Sequence, residues 1–401
     1  MTQPYMFEKP LGLRDTLPES ERAIAGLEAL FRDELLRWGY DFLKTPALEY
    51  AETVGRASAI ADTRLFKFLD VEGRPVVLRP DMTTPIARVV ASSLRNQTPP
   101  LRLCYTAALY RSQQKEGGHP SEFEQTGAEL IGDASADADA EVISLMLTLL
   151  KKAGLPSVRL ALGHVGFVDA FFNDCTHDSS AVTWLHHLLF NKDDVGFHEY
   201  VNTLNLTPAC REKLHSFVAS RRLDNKRTMA YMRSLAIDGS AAVRDCFHKI
   251  AALFDLMKAD RIDSCIDLDI TLMPHLSYYT GAVFQGFGGE LGFPIASGGR
   301  YDDLLDKFNR PSPATGFGIR LDRVMSASAS GGRSVKPHKT AVIYDREHAA
   351  KAKHFAEEKR GEGRPVVLQH VGGIEDLQAF TERFEHVKTF LNVERREIDH
   401  D

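Results

Sequence analysis

Two carboxylates, a tyrosine pair and a lone arginine carry most of the chemistry this sequence offers. In Phe123-Glu124-Gln125-Thr126-Gly127-Ala128-Glu129-Leu130 the alternation of a strand turns Gln125, Gly127 and Glu129 to one face and Thr126, Ala128 and Leu130 to the other. A glutamine and a glutamate two positions apart, with a side-chain-free gap between them, could hold an ammonium or an imidazole N–H; a solvated strand face accounts for the same pattern. Tyr278-Tyr279, read as strand residues, face opposite sides, so at most one ring enters a pocket unless a bulge intervenes. Strand tyrosines are also more often core than ligand contacts. Asp81 and Thr83 follow Pro80 in a turn ahead of a helix, where turn and capping roles come first. Arg111 ends a strand, the ordinary place of a surface arginine. In Leu272-Met273-Pro274-His275-Leu276-Ser277-Tyr278-Tyr279-Thr280-Gly281, Pro274 offers neither a side-chain donor nor a backbone N–H.

Other chemistries find little support. Gly286, Gly288, Gly289, Gly298 and Gly299 permit tight turns, but no phosphate loop with its lysine is present. His164, His177, His186, His187, His198, His215 and His248 lack a His-x-x-x-His pair with an acidic ligand on the same face, so neither a metal site nor a cofactor is expected, and they read as solvated helix histidines. The five cysteines, Cys104, Cys175, Cys210, Cys246 and Cys265, are odd in number and widely spaced, which suggests a reducing compartment without disulfides or zinc. With 401 residues, 43% hydrophobic and 26% charged, the chain has the composition of a globular protein of two or three domains. A net charge of −6 gives no basic excess for a phosphate backbone. No apolar run approaches a membrane span or a secretory leader, so the expected address is the cytoplasm.

These residues must be held by a mixture of strands and helices. Thr16-Leu17-Pro18-Glu19 reads as a capping box opening a helix that carries Ile24, Leu27, Phe31, Leu35 and Trp38, with Gly39 as its stop. Phe42 to Tyr50 is extended, and Leu65 to Leu69 with Val76 to Leu78 forms a hairpin. Thr84 is a candidate N-cap with Pro85 at the first helical position. Leu103 to Tyr110 and Phe123 to Ile131 are strands joined by a long polar loop, followed by a helix from Ala140 to Lys152 and a strand from Val158 to Leu162. From about 166 to 260 the periodicity is helical, an inserted subdomain. Strands return at Ile266 to Thr271, Tyr278 to Phe287 and Ile295 to Ser297, before a helix near Tyr301. The expected organisation is a core over 1–325 interrupted by that insertion, a Ser/Gly-rich linker over 326–337, and a small C-terminal α/β domain over 338–401.

In order and spacing these segments resemble the histidyl-tRNA synthetase family, from about Gly12 to Arg323. Leu13-Arg14-Asp15-Thr16-Leu17-Pro18 is similar to its N-terminal turn, and Thr45-Pro46-Ala47-Leu48-Glu49 to its first, dimer-forming motif. Tyr110-Arg111 through Glu129 resembles the second motif; Gly298-Gly299-Arg300-Tyr301-Asp302 and Gly316 to Arg323 resemble the third. The resemblance implies an α+β class II aminoacyl-tRNA synthetase-like fold, an antiparallel sheet flanked by helices. It also implies a histidine-binding pocket of Asp81, where the family has glutamate, with Thr83, Gln125, Glu129, Tyr278 and Tyr279. Arg111 is the leading partner for the ligand carboxylate.

The departures gather at the ATP end. Pro274 replaces the family's catalytic arginine, Ser277 its signature aspartate, and Gln113, Gln114, His119 and Ser121 its second-motif glutamate and arginines. Arg320 stands where the third motif has glycine, in space adenosine would need. Losing one preorganised donor to a developing oxyanion costs ~2.7–4 kcal/mol, so adenylate formation is not expected and no residue is assigned a catalytic role. The acidic end, Glu397 to Asp401, suits RNA poorly, and no tRNA reader is evident. The combination resembles the synthetase-like regulatory subunits of ATP phosphoribosyltransferase. That implies a non-catalytic dimer assembling with a short-form catalytic subunit into a hetero-octamer, activating it in the first step of L-histidine biosynthesis and conveying inhibition by histidine. An active histidyl-tRNA synthetase, or a synthetase-like ligase charging another acceptor, is the alternative.

Overall fold

In the computed structural model, residues 8–58, 60–112, 120–274, 278–289, 291–328 and 339–392 are described. The chain divides into two compact units, Met1–Gly331 and Gly332–Asp401.

The first unit begins with α1 (Pro18–Arg37), whose Leu27, Phe31 and Leu35 are buried at helical spacing, and Gly39 reverses the chain after it with φ +79. The expected capping box does not form: Leu17 is the N-cap and no side chain caps the helix. Two short strands, β1 (Asp41–Phe42) and β2 (Leu48–Tyr50), precede α2 (Ala51–Ala57) and the hairpin of β3 (Lys67–Leu69) with β4 (Pro75–Leu78); β2, β4 and β3 make a small antiparallel sheet. After α3 (Thr83–Ala91) come the long strands β5 (Leu101–Tyr110) and β6 (Glu122–Ile131), then α4 (Ala136–Lys152) and β7 (Arg159–His164). Six helices follow: α5 (Val165–Thr176), α6 (Ser179–Phe190), α7 (Asp194–Thr203), α8 (Pro208–Ala219), α9 (Asn225–Asp238) and α10 (Ala241–Ala259). The sheet resumes with β8 (Ile266–Leu268), β9 (Ala282–Phe287), β10 (Ala296–Arg300) and β11 (Ala314–Arg320), and the unit closes on α11 (Leu321–Ala327).

Among the described residues the main sheet runs β1-β5-β6-β11-β10-β9-β7-β8. Its inner strands pair antiparallel, while β1 and β8 add in parallel at the two edges. This is the expected α+β architecture, with α4 and the helical insertion packed into one large apolar cluster. A second cluster around Met82, Ile86, Tyr105, Tyr278 and Tyr301 lies beneath α3 and supports the polar residues of interest.

Several local expectations change. The strand expected from Tyr278 begins only at Ala282, and that expected to reach Thr271 ends at Leu268. Near Tyr301 the chain turns instead of starting an α-helix, with one 3-10 turn at Leu305–Phe308. Ser326 and Ala327, assigned to the linker, finish α11; positions 329–338 lie outside the described residues. Among the insertion histidines, His164 is not solvated. It is buried at the head of α5, its Nδ1 accepting the Phe167 N–H at 3.1 Å, and burial next to Lys249 drives its pKa down to about 4.

In the second unit β12 (Thr340–Tyr344), α12 (Ala349–Gly361), β13 (Val366–His370), α13 (Leu377–Thr381) and β14 (His386–Phe390) form a parallel sheet in the order β13-β12-β14. Among the described residues no helix is long and apolar enough to cross a membrane.

Candidate functional site

A cavity of about 570 Å³ in the first unit is lined by Asp81, Thr83, Arg111, Gln125, Glu129, Tyr278 and Tyr279, the full set of candidate residues, together with Pro274 and Arg320. Their positions in sequence are far apart, and the sheet register brings them together. Glu129 pairs with Leu103 on β5 and with Gly316 on β11; Gln125 pairs with Ala107 and Arg320. A side chain at Gly316 would collide with the Glu129 carboxylate, so this close crossing demands glycine. Both tyrosines reach the cavity because they precede β9 and are free of strand alternation; their rings meet edge-on with centroids 4.9 Å apart.

Glu129 forms the centre of one end. Its Oε1 accepts the Thr83 hydroxyl at 2.8 Å and its Oε2 the Tyr301 hydroxyl at 2.5 Å, while Tyr278 donates to the Thr83 oxygen at 3.4 Å. Burial pushes the carboxyl up to about 7, and Asp81 adds to the rise; the hydroxyls of Tyr301 and Thr83 pull against it. Asp81 has a double occupation. Its Oδ1 accepts the Thr84 N–H at 2.9 Å and its Oδ2 the Ser58 hydroxyl at 2.5 Å, so Asp81 supplies the side-chain capping assigned to Thr84, with Met82 as the N-cap position. Gln125 accepts the Tyr105 hydroxyl at 2.7 Å, which orients its amide and leaves the oxygen a second lone pair. The gap at Gly127 is not ligand space: a Cβ there would lie 2.5 Å from the Tyr105 hydroxyl, so glycine makes room for that ring.

The other end is cationic. Arg111 donates from Nε to the Pro80 carbonyl at 2.8 Å and lies 5.3 Å from the Phe123 ring centroid. Its pKa is lowered, first by burial and also by repulsion from Arg64 and Arg320, against the pull of Asp81. Arg320 lies 3.9 Å from the centroid of the same ring and holds Asp322 through two bonds of 3.0 and 2.6 Å. Arg323 donates to the Pro294 carbonyl and sits 4.8 Å from the centroid of Phe293; burial and neighbouring Arg320 bring it down to about 10. Pro274 lines the cavity and Ser121 is buried, whereas Gln113, Gln114, His119 and Ser277 lie outside the described residues.

Sequence reasoning passed over Tyr105, Tyr301 and Ser58. Tyr301 was visible only as part of a motif, and Tyr105 becomes readable when β5 is set against β6 with Tyr105 opposite Gly127. Among the described residues no group of three or more His, Cys, Asp or Glu is arranged to hold a metal ion.

Residues 12–324 match the histidyl-tRNA synthetase family, and residues 341–392 match the C-terminal domain described as that of histidyl-tRNA synthetase HisZ. A histidyl-tRNA synthetase from Nostoc sp. shares the fold at TM-score 0.78 and 18% identity, over 94% of this chain and 88% of its own. The class is thus a histidyl-tRNA synthetase-like protein of the class II type. A curated ATP phosphoribosyltransferase regulatory subunit of Geobacillus thermodenitrificans is 45% identical over 96% of this chain and 97% of its own length. The crystal structure of an ATP phosphoribosyltransferase regulatory subunit/histidyl-tRNA synthetase from Bacillus halodurans aligns at TM-score 0.90 and 42% identity, over 97% of this chain and 99% of that one. The chain belongs to the family of ATP phosphoribosyltransferase regulatory subunits.

Proposed function

We propose that this chain is a cytoplasmic regulatory subunit without catalytic activity of its own. It dimerises, assembles with the short-form ATP phosphoribosyltransferase catalytic subunit into a hetero-octamer, is required for that subunit's activity in the first step of L-histidine biosynthesis, and carries feedback inhibition by histidine. One observation supports the reading above others: a carboxylate held by hydroxyls and ringed by tyrosines shares a cavity with an arginine end whose aromatic face, Phe123, is already stacked by Arg320. The first end suits a small amine with an N–H-bearing ring. At the second, a planar base would have to displace a guanidinium that is itself paired to Asp322.

In this reading Glu129 and Tyr279 contact the imidazole, Asp81, Thr83 and Gln125 the α-ammonium, and Arg111 the carboxylate, since Pro274 supplies no donor. Inhibition then follows from histidine favouring one state of the assembly over another, by the difference in its affinity for the two. The test is to combine the chain with a short-form catalytic subunit and measure the phosphoribosyl transfer rate with and without it, and with increasing L-histidine. The rate is expected to rise on assembly and fall with histidine, and Glu129→Ala is expected to weaken the histidine response at least a hundredfold. A rate indifferent to the chain, or a histidine response untouched by Glu129→Ala, refutes the reading.

A further inference from the structure

Among the described residues, Glu129 is a buried carboxyl without a cationic partner. Its partners are the hydroxyls of Thr83 and Tyr301, and among the described groups acting on it no arginine, lysine or histidine appears. Each element packed around it contributes something neutral or acidic: Tyr105 from β5, Asp81 and Thr83 at the head of α3, Tyr278 and Tyr279 from the segment before β9, and Tyr301 after β10. Gly316 of β11 brings no side chain at all. Of the arginines that line the cavity, Arg111 donates from Nε to the Pro80 carbonyl, Arg320 pairs with Asp322 and Arg323 donates to the Pro294 carbonyl, while Arg64 acts on Arg111 and is not among the groups acting on Glu129. A buried carboxylate with hydroxyl donors but no cation is costly, so burial favours the neutral acid, and an incoming imidazolium would supply the cation.

We infer that the ligand imidazole and Glu129 share a single proton in the complex, so that histidine affinity peaks near neutral pH and falls on both sides. The inference rests on the histidine reading of the cavity. The balance is simple: a neutral imidazole nitrogen takes the proton from the Glu129 carboxyl, leaving an imidazolium–carboxylate pair with no net change, or an imidazolium meets a carboxylate already ionised. Below pH 6, imidazole and Glu129 both carry protons and one must leave. Above neutrality both have lost theirs and one must be taken up. Tyr301 and Thr83 keep their bonds throughout, because a carboxylate has lone pairs for additional donors.

Calorimetric titration of the full chain with L-histidine at pH 6, 7 and 8, each in phosphate and in Tris, reads both affinity and protons exchanged. With the carboxyl near 7 and imidazole at its ordinary value of about 6.5, affinity is expected to be roughly fourfold weaker at pH 8 than at pH 7. The buffer dependence should show net proton uptake at pH 8. Ring-¹⁵N-labelled histidine should give the imidazolium signal when bound at pH 7.5, where the free amino acid is largely neutral. Glu129→Gln, which cannot exchange a proton, should abolish the uptake at pH 8. Binding with flat affinity and no buffer dependence, or a neutral bound ring in the native chain, overturns the inference and leaves the histidine site standing. If no heat and no bound signal appear at any pH, the histidine reading itself fails.

Discussion

The two ends of the cavity are built by opposite rules. At the carboxylate end the principal polar atoms are committed by short bonds: Thr83 and Tyr301 to Glu129, Ser58 and the Thr84 N–H to Asp81, Tyr105 to Gln125. At the arginine end the guanidiniums rest on carbonyls and ring faces, and the closest ion pair, Arg320 with Asp322, joins residues of the same turn. A site that must recognise a small neutral-to-cationic group gains from preorganised acceptors, since orientation is then settled before binding. At the arginine end Arg320 is paired with Asp322 and covers the Phe123 ring, so that ring face is not open to a planar base. The contrast supports the proposed reading of a recognition site at the carboxylate end, in a chain that belongs among the regulatory subunits.

The largest effect that tests the contrast is on stability against pH. Glu129 in the folded chain lies near 7 against 4.5 when exposed. Below the exposed value both states hold the proton, and nothing is lost. Between about 4.5 and 7 the unfolded chain ionises while the folded one does not, so stability falls as pH rises through this window, by up to about 3 kcal/mol. Denaturant unfolding of Glu129→Gln should show a shallower decline from pH 5 to 8 than the native chain. Parallel declines in the two proteins would mean that the carboxyl is not held neutral.

Next in size is Tyr301→Phe, which deletes the 2.5 Å donor to Glu129 and keeps the ring. Hydrogen bonds to charged groups contribute about 1.5–3 kcal/mol and neutral ones about 1 kcal/mol. The loss of stability should therefore be larger at pH 8, where Glu129 is ionised, than at pH 5. A cost independent of pH would assign Tyr301 to packing alone.

The sequence made some of this legible and hid the rest for reasons of geometry. Alternation was enough for β5 and β6, because long strands with one apolar face advertise themselves, and helical spacing was enough for the insertion between β7 and β8. Glu129 and Gln125 emerged from the same alternation. Their partners did not, since Thr83 and Tyr301 are separated from Glu129 by 46 and 172 positions and only the folded register joins them. Asp81, Thr83 and Tyr279 entered as candidates through family resemblance, not through any local pattern. Tyr278-Tyr279 misled the alternation argument because the chain is not yet a strand there, and Gly127 misled the argument from empty space because Tyr105 fills it. In both cases the information lay in a neighbour across the sheet.

The smallest expected effect bears on the arginine end. Arg320→Ala removes a guanidinium that stacks 3.9 Å from the centroid of Phe123 and pairs with a partly exposed Asp322, so the stability cost should stay near ~1 kcal/mol. Glu129, Thr83 and Tyr301 keep their mutual bonds, and histidine affinity measured by calorimetry should change less than twofold. A tenfold loss would show that the two ends act as one site. The same variant sharpens the comparison with ATP as titrant. If Arg320 is what occupies the base-stacking face, its removal should make ATP bind more tightly than it does to the native chain. An affinity for ATP no tighter than the native chain's would move the obstacle from Arg320 to another part of the cavity wall, with Pro274 the next residue to replace.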